Sequence, residues 1–341
     1  AILSESAETI APIESYNNEV GAPISVLKIT HQTEYLVAEL GAGGIGSIRY
    51  LAEITQPDIG VVLKVGMAHA GEFGGIEVTT AIKGELVESL GANAKVILNR
   101  DDSNVVAMAA KTEAEVIWFG TSADVDYRAE NIRLGIDGTA FDLHWPDSTV
   151  DTVKLQILGE HHVMNALAAS SVADQLGIAR TQIVHALENL PLAERWRMQV
   201  LTRSDGMVVI NDAYNASPES TKAALQTLAQ LGRLTGRRTV AVLGEMAELG
   251  KFAVHEHDAI GRLAVRLNIG LVMAVGEAAK LIHMGASQEG SYDGESIFVD
   301  SIDEALEQLR GMLEPTDIVL VKSSKSANLR YLGDDVAEVK A

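Results

Sequence analysis

VGMAHAGEFGGIEVTTAIKGELVESL, residues 65–90, follows a continuous apolar run from Ile59 to Leu63 that reads as a buried parallel strand. Gly66 breaks the strand, and Gly71, Gly74 and Gly75 leave the next loop free to take backbone angles closed to other residues. Val78, Ile82 and Leu86 then recur at helical spacing, which predicts a helix with that stripe buried and Glu and Lys on its flanks. Strand, loop and helix in this order belong to an open α/β sheet, whose ligands sit beyond the carboxyl ends of its strands. His69 falls there, and Lys83, one step off the apolar stripe, can lean over the same crevice. Taken singly, His69 reads as a solvated loop residue and Lys83, beside Glu85 and Glu88, as a surface charge.

Working outward, Tyr35 to Leu40 reads as a strand, GAGGIGS as a turn and Ile48 to Ile54 as a helix. Downstream, Ala94 to Leu98 is a strand ended by the polar NRDDSN cluster, Val105 to Ala110 a helix and Val116 to Gly120 a strand. Between Tyr127 and Leu158 the apolar residues alternate (Ile132, Leu134, Ile136; Phe141, Leu143; Val153, Leu155, Ile157), which predicts short antiparallel strands. Two helices follow, about His162 to Leu176 and Thr181 to Leu190. Pro191 closes them and marks the expected boundary between a domain of residues 1–191 and one of residues 192–341. Beyond it, five strands (Met207 to Asn211, Thr239 to Leu243, Leu271 to Val275, Ile297 to Val299, Ile318 to Val321) alternate with helices, the rhythm of a parallel sheet covered on both faces.

Composition bounds the function. The 341 residues are enough for two cores, and no run of 18 apolar residues interrupts them. Without cysteine there is no disulfide, thiolate metal site or cysteine nucleophile, which suits a cytoplasmic protein. A net charge of −20 argues against a nucleic-acid or anionic-membrane surface, yet leaves room for small phosphorylated substrates that need only local donors. The opening AILSES reads as the tail of a helix, so upstream residues are expected.

Several stretches carry chemistry. Gly41-x-Gly43-x-x-Gly46 imitates a dinucleotide fingerprint but lacks the acidic residue that would hold a ribose, and Lys64 stands near that point. Glu39, just before those glycines, is a carboxylate aimed at the crevice of His69. No GxxxxGK[ST] loop, GxSxG elbow or HExxH motif occurs within the chain. In GEHHVMNALAAS, His161 and His162 point about 100° apart on a helix and make a poor chelate, while Asn165 suits either a hydrogen bond to a base or sugar or a capping role. Ser217 caps a helix with Pro218 at its first position, leaving Asp212, Tyr214 and Asn215 exposed in the preceding loop. Glu245 ends another strand in VLGEMAELG. Lys322, Ser323, Ser324 and Lys325 concentrate donors suited to a carboxylate or phosphate.

Taken in order, YNNEVGAP, AELGAGGIGSI, VGMAHAGEFGG with AIKGEL, GEHHVMNALAA, WRM, NDAYNASPES, VLGEMAELG and VLVKSS resemble the Mur ligases over essentially the whole chain. NDAYN-x-x-P and VLGEMAELG resemble the branch that joins D-alanyl-D-alanine to UDP-N-acetylmuramoyl-tripeptide. The resemblance implies a central ATPase-type parallel sheet with a small antiparallel subsheet, followed by a C-terminal Rossmann-like α/β domain. It implies an ATP-dependent amide ligase that works through an acyl phosphate with Mg²⁺ at two sites, usually as a monomer whose C-terminal domain closes about a hinge near Pro191 to Trp196. By position, it gives Glu39, His69 and a carbamylated Lys83 as metal ligands. Asn17 and Asn18 become muramoyl-substrate contacts, and Asn165 an adenine contact. Arg197 and Asp212 fall on the ribose and phosphate side, and Tyr214, Asn215, Lys322 and Ser324 where the C-terminal domain meets nucleotide and dipeptide. The family's phosphate loop and UDP-binding domain would precede Ala1. Lys64, His162 and Ser217 each replace an Asn usual in the family. A non-catalytic nucleotide- or precursor-binding protein on the same fold, or another Mur-type or polyglutamate-type ligase, remain the alternative readings.

Overall fold

The protein is described by a computed structural model over residues 1–12, 16–66, 74–190, 195–289 and 294–339. Two six-stranded sheets organise it. In the first, β3 (Ile59–Val62), β4 (Lys95–Asn99), β5 (Glu115–Gly120) and β6 (Tyr127–Gly135) lie parallel, and β7 (Gly138–His144) and β8 (Val150–Leu155) extend β6 antiparallel. The alternating segment is therefore continuous with the parallel sheet rather than a separate layer. Phe119 pairs with Tyr127 and Gly120 with Arg128, after which β6 outruns β5 and turns back. Val96, Ile97 and Leu98 are fully buried, as consecutive apolar residues must be in a strand covered on both faces.

The second sheet runs β13 (Glu295–Val299), β12 (Leu271–Val275), β11 (Thr239–Leu243), β14 (Ile318–Lys322), β10 (Val208–Asn211), β9 (Gln199–Thr202). All pairs are parallel except β9 with β10. The antiparallel edge strand β9 is absent from the sequence reading, because QVLT is short and half-buried and carries no periodic signal of its own. Helices Pro218–Thr235, Ala253–Arg266 and Lys280–Gln288 cover one side, with Leu225, Leu228, Ile260 and Ile282 buried against Ile210, Ala241 and Leu243. Ser217 caps the first of these helices as expected: its hydroxyl accepts from the Ser220 amide at 3.2 Å while Ser220 Oγ accepts from the Ser217 amide at 2.9 Å. Leu134 and Leu158, from the first half of the chain, join this second core, so apolar packing bridges the two halves.

Two local expectations change. Tyr35 to Leu40 is a strand only over β2 (Tyr35–Leu36), which pairs with β1 (Thr9–Ile10) in a small parallel ladder of its own. The ladder ends because β1 offers no further partner residue, and Glu39 lies in the loop beyond it. In the helix Ile76–Ser89 the buried positions are Thr79, Ile82, Gly84, Glu85 and Val87, not a Val78–Leu86 stripe, because elements pack on more than one side of it. Glu85, read from sequence as a flanking charge, is 4% exposed.

Candidate active site

The carboxyl end of β3 is tied down by carboxylate and amide side chains. Asn99 Nδ2 donates to the Leu63 carbonyl at 2.9 Å, and Asp102 Oδ2 accepts from the Val65 amide at 3.1 Å. The other oxygen of Asp102 caps the helix Ser103–Met108 through the amides of Asn104 and Val105. Over this junction the helix Ile76–Ser89 extends Lys83, whose Nζ donates to the Lys64 carbonyl at 3.2 Å. Burial lowers the pKa of the Lys83 ammonium, opposed by the attraction of Asp102. His69 lies outside the described residues.

The loop carrying Glu39 is fixed from both sides. Asn17 Nδ2 donates to Glu39 Oε1 at 2.8 Å, and the Asn17 carbonyl accepts from the Gly41 amide at 2.7 Å. Asn18 Oδ1 accepts from the amides of Val20 and Gly21 and so starts the helix Gly21–Val26. Further along, Gly46 (φ +89°) precedes the helix Ser47–Thr55, at the place where the glycine pattern would set a pyrophosphate. That position is filled from within: Glu85 accepts from the Gly46 amide at 2.6 Å and from the Arg49 amide at 3.1 Å. No hydrogen bond or ion pair joins Glu39 to Lys83, and no group of three His, Asp or Glu suited to a metal occurs among the described residues.

Across from β3, the helix Glu160–Gln175 presents its first turn to the second half of the chain. Burial, with Lys322 and Lys64 as positive neighbours, pushes His161 down to about 4. Burial, the neighbouring His161 and Arg197 outweigh Asp212 and push His162 down to about 3. Both rings are therefore neutral near pH 7. His162 Nε2 is buried without a hydrogen-bond partner, whereas Asn165, three residues on, is exposed. Glu219 closes the crevice: a Cβ on Gly66 would lie 3.2 Å from its carboxylate. Gly66 from one half thus meets Glu219 from the other, and Lys64 and Lys322, one from each half, both act on His161.

Within the second sheet several expected ligand contacts are engaged by the protein itself. Asp212 Oδ2 accepts from Lys322 Nζ at 2.6 Å, and its Oδ1 accepts from the Met198 amide at 2.9 Å. Lys322, 2% exposed, also donates to the Asn215 carbonyl at 3.0 Å. Ser324 Oγ accepts from the Ala247 amide at 2.8 Å. These three side chains bolt neighbouring strand ends together. Arg197 and Tyr214 differ: the guanidinium stacks 4.3 Å over the ring, and Lys325 Nζ approaches the same ring at 5.6 Å. Asn215 is exposed beside them. Sequence reading missed Asp102, Glu85 and Asp334, the last accepting from Arg195 Nη2, Trp196 Nε1 and Asn211 Nδ2. The signal for Asp102 was a helix-capping Asp before an apolar run; for the other two no local signal exists, since their partners are distant in the chain.

The chain is similar to known proteins along nearly its whole length. Residues 1–173 match the Mur ligase middle domain, and residues 196–325 match the Mur ligase, glutamate ligase domain. The chain is 43% identical to the UDP-N-acetylmuramoyl-tripeptide–D-alanyl-D-alanine ligase of Mycobacterium tuberculosis, over 98% of this chain and 68% of that protein. It is 31% identical to the Escherichia coli ligase of the same name, over 96% and 70%. A crystal structure of MurF from Acinetobacter baumannii superposes with a TM-score of 0.89 at 30% identity, covering 99% of this chain and 72% of that one. The MurF ligase of Thermotoga maritima, solved in complex with ADP, gives 0.85 at 25% identity over 100% and 76%.

Proposed function

This chain belongs to the Mur ligase family, and we propose that it joins D-alanyl-D-alanine to UDP-N-acetylmuramoyl-tripeptide, with ATP as the energy source, in peptidoglycan precursor synthesis. The observation that carries the proposal is likeness to ligases of that specificity along 98% of the chain. The Lys83 amine at the mouth of β3, its pKa lowered by burial, supports it chemically.

Burial lowers the Lys83 pKa, so the ammonium gives up its proton more readily, and the free amine can form a C–N bond to carbon dioxide with release of a second proton to solvent. The carbamate that results turns a cation into an oxygen ligand, which fits Mg²⁺ where an ammonium would repel it. Glu39, that carbamate and His69 would hold the ion, and when bound it neutralises charge on the reacting phosphate and carboxylate. Asn165, Arg197, Tyr214 and Asn215 line the nucleotide side, with Asp212 holding the loop that presents them. Asn17 orients Glu39 toward the muramoyl substrate and Asn18 shapes the adjoining turn. Lys322 and Ser324 set the strand ends that receive the dipeptide. The crevice lies between a domain of residues 1–191 and one of residues 192–341. The protein works as a cytoplasmic monomer on small soluble substrates; among the described residues, no helix is long and apolar enough to cross a membrane.

The test is phosphate release from ATP by the purified protein with both acceptor substrates, for the parent and for Lys83→Ala. Release should require both substrates and should collapse in Lys83→Ala, whether or not bicarbonate is added. Undiminished turnover by the variant would refute the role of Lys83. A parent that consumes a different amine would refute the substrate assignment.

A further inference from the structure

The loop after β11, residues 244–249, leaves the sheet at the point where β14 also ends, and the two approach closely: a Cβ on Gly244 would lie 2.7 Å from that of Ser323. The Gly244 amide donates to the Lys322 carbonyl at 2.9 Å, and three further hydrogen bonds hold residues 245–247. The Ser324 amide donates to the Glu245 carbonyl at 2.8 Å, and the Ala247 amide donates to Ser324 Oγ at 2.8 Å. The third comes from outside the strand ends. The Met246 amide donates to His257 Nε2 at 2.9 Å.

His257 sits in the first turns of the helix Ala253–Arg266 and is 2% exposed. Its Nδ1 lies 2.7 Å from the Ala253 carbonyl, one helical turn back. A ring that accepts at Nε2 must carry its proton at Nδ1, and a proton there is what the Ala253 carbonyl requires. Both ring nitrogens are thus satisfied by backbone groups in one tautomer only. Met246 and Leu249 are buried at 1% and 2%, so the Met246 amide has no water to turn to if the imidazole is removed. Glu245, between these anchors, lines a cavity of about 340 Å³ at the carboxyl ends of β11, β12 and β13, together with Gly276, Asp300 and Leu329.

We propose that His257 is a positioning residue for the acceptor half of the reaction: through Met246 it fixes the backbone of loop 244–249, and with it Ser324 and the strand-end surface that receives the dipeptide. This rests on the ligase reading above. The His257–Met246 bond itself makes no contact with Arg197 or Tyr214, whose stack lies on the nucleotide side.

Amide side chains separate this role from simple packing. In His257→Gln the amide reaches the place of Nε2 and can still accept from Met246. In His257→Asn it reaches only the place of Nδ1 and can serve Ala253 alone. The Michaelis constant for D-alanyl-D-alanine should rise roughly tenfold in His257→Asn, as expected for one buried backbone donor left unpaired. It should return to within roughly threefold of the parent in His257→Gln, with the constant for ATP moving less than roughly twofold in either. Equal effects of the two variants, or an equal rise for ATP, would overturn the proposal. The imidazole ¹⁵N shifts of the parent give a second readout that needs no variant to fold: Nδ1 should be protonated and Nε2 bare, and the opposite tautomer overturns the proposal. A parent without ligase activity would instead sink the functional reading, leaving the tautomer result intact.

Discussion

Asp212 and Lys322 were expected to meet the ligand, and the structure has them meet each other, so a double-mutant cycle on this pair separates the two roles. The side chain of Lys322 is 2% exposed and that of Asp212 14%, with 2.6 Å between Nζ and Oδ2. Removing one partner of a buried pair strands the other charge, at a cost of about 3–5 kcal/mol. Among the described residues, Lys322→Met leaves Asp212 with the Met198 amide, and Asp212→Asn leaves Lys322 with neutral acceptors such as the Asn215 carbonyl. Each single variant should therefore lower the unfolding free energy of the second half by about 3 kcal/mol in urea titrations. The double variant removes both charges and should cost about 2 kcal/mol less than the sum. Nucleotide affinity should fall together in both singles, because each displaces the 212–217 loop. Additive stabilities, within about 0.5 kcal/mol, would refute the pairing. So would a loss of nucleotide binding confined to Asp212→Asn, which would restore a direct contact.

Glu85→Ala strands the amides of Gly46 and Arg49 at the start of the helix Ser47–Thr55. A loss of about 2–3 kcal/mol is expected in chemical unfolding, and a change under about 0.5 kcal/mol would contradict the capping role. His161 and His162, held down to about 4 and about 3, remain neutral in the fold while their unfolded counterparts gain protons below about pH 6.5. Stability should therefore be full above that pH and fall on acidification toward about pH 3, with His162 contributing at most about 2 kcal/mol of loss by pH 5. Melting temperatures from pH 7.5 to pH 5 (roughly the interval where the unfolded rings charge) should decline less steeply in His162→Gln. Asp334→Ala removes the acceptor shared by Arg195, Trp196 and Asn211 and should cost about 2–4 kcal/mol, measured as a fall in melting temperature.

What the sequence made legible follows from how local each signal is. Parallel strands such as β4, β11 and β12 announce themselves as short runs of apolar residues, because both their faces are buried. Ser217 and Pro218 announce a helix start, because capping acts within three residues. Glu85 could not be read this way: in sequence it is one more charge beside Lys83 and Glu88, and only the return of Gly46 and Arg49 in space gives its carboxylate two donors. The same holds for Lys322, which motif reading assigned to an anion because a lysine at a strand end commonly serves one. Its burial depends on Asp212 and Asn215, 110 and 107 residues away. That Asp212 and Lys322 stand at strand ends was legible, then, while their pairing with each other depended on contacts between distant segments.

Contacts between distant segments also bear on how the halves can move. The segment from Pro191 to Trp196 was the expected pivot, and its first four residues lie outside the described ones. Its last two are held firmly by the second half of the chain. Arg195 Nη2 and Trp196 Nε1 both donate to Asp334 Oδ2, at 2.8 and 2.9 Å, and the Trp196 carbonyl accepts from the Tyr214 amide at 3.0 Å. Trp196 (φ +65°) and Met198 (φ +47°) occupy the left-handed region, which costs roughly 1 kcal/mol or more for each residue with a Cβ and persists only where other contacts over-determine it. A rotation absorbed at Trp196 would have to break the Asp334 and Tyr214 bonds together and would take Arg197 off its ring. Arg195 to Met198 are therefore anchored to the second half of the chain, with Arg197 held over the Tyr214 ring.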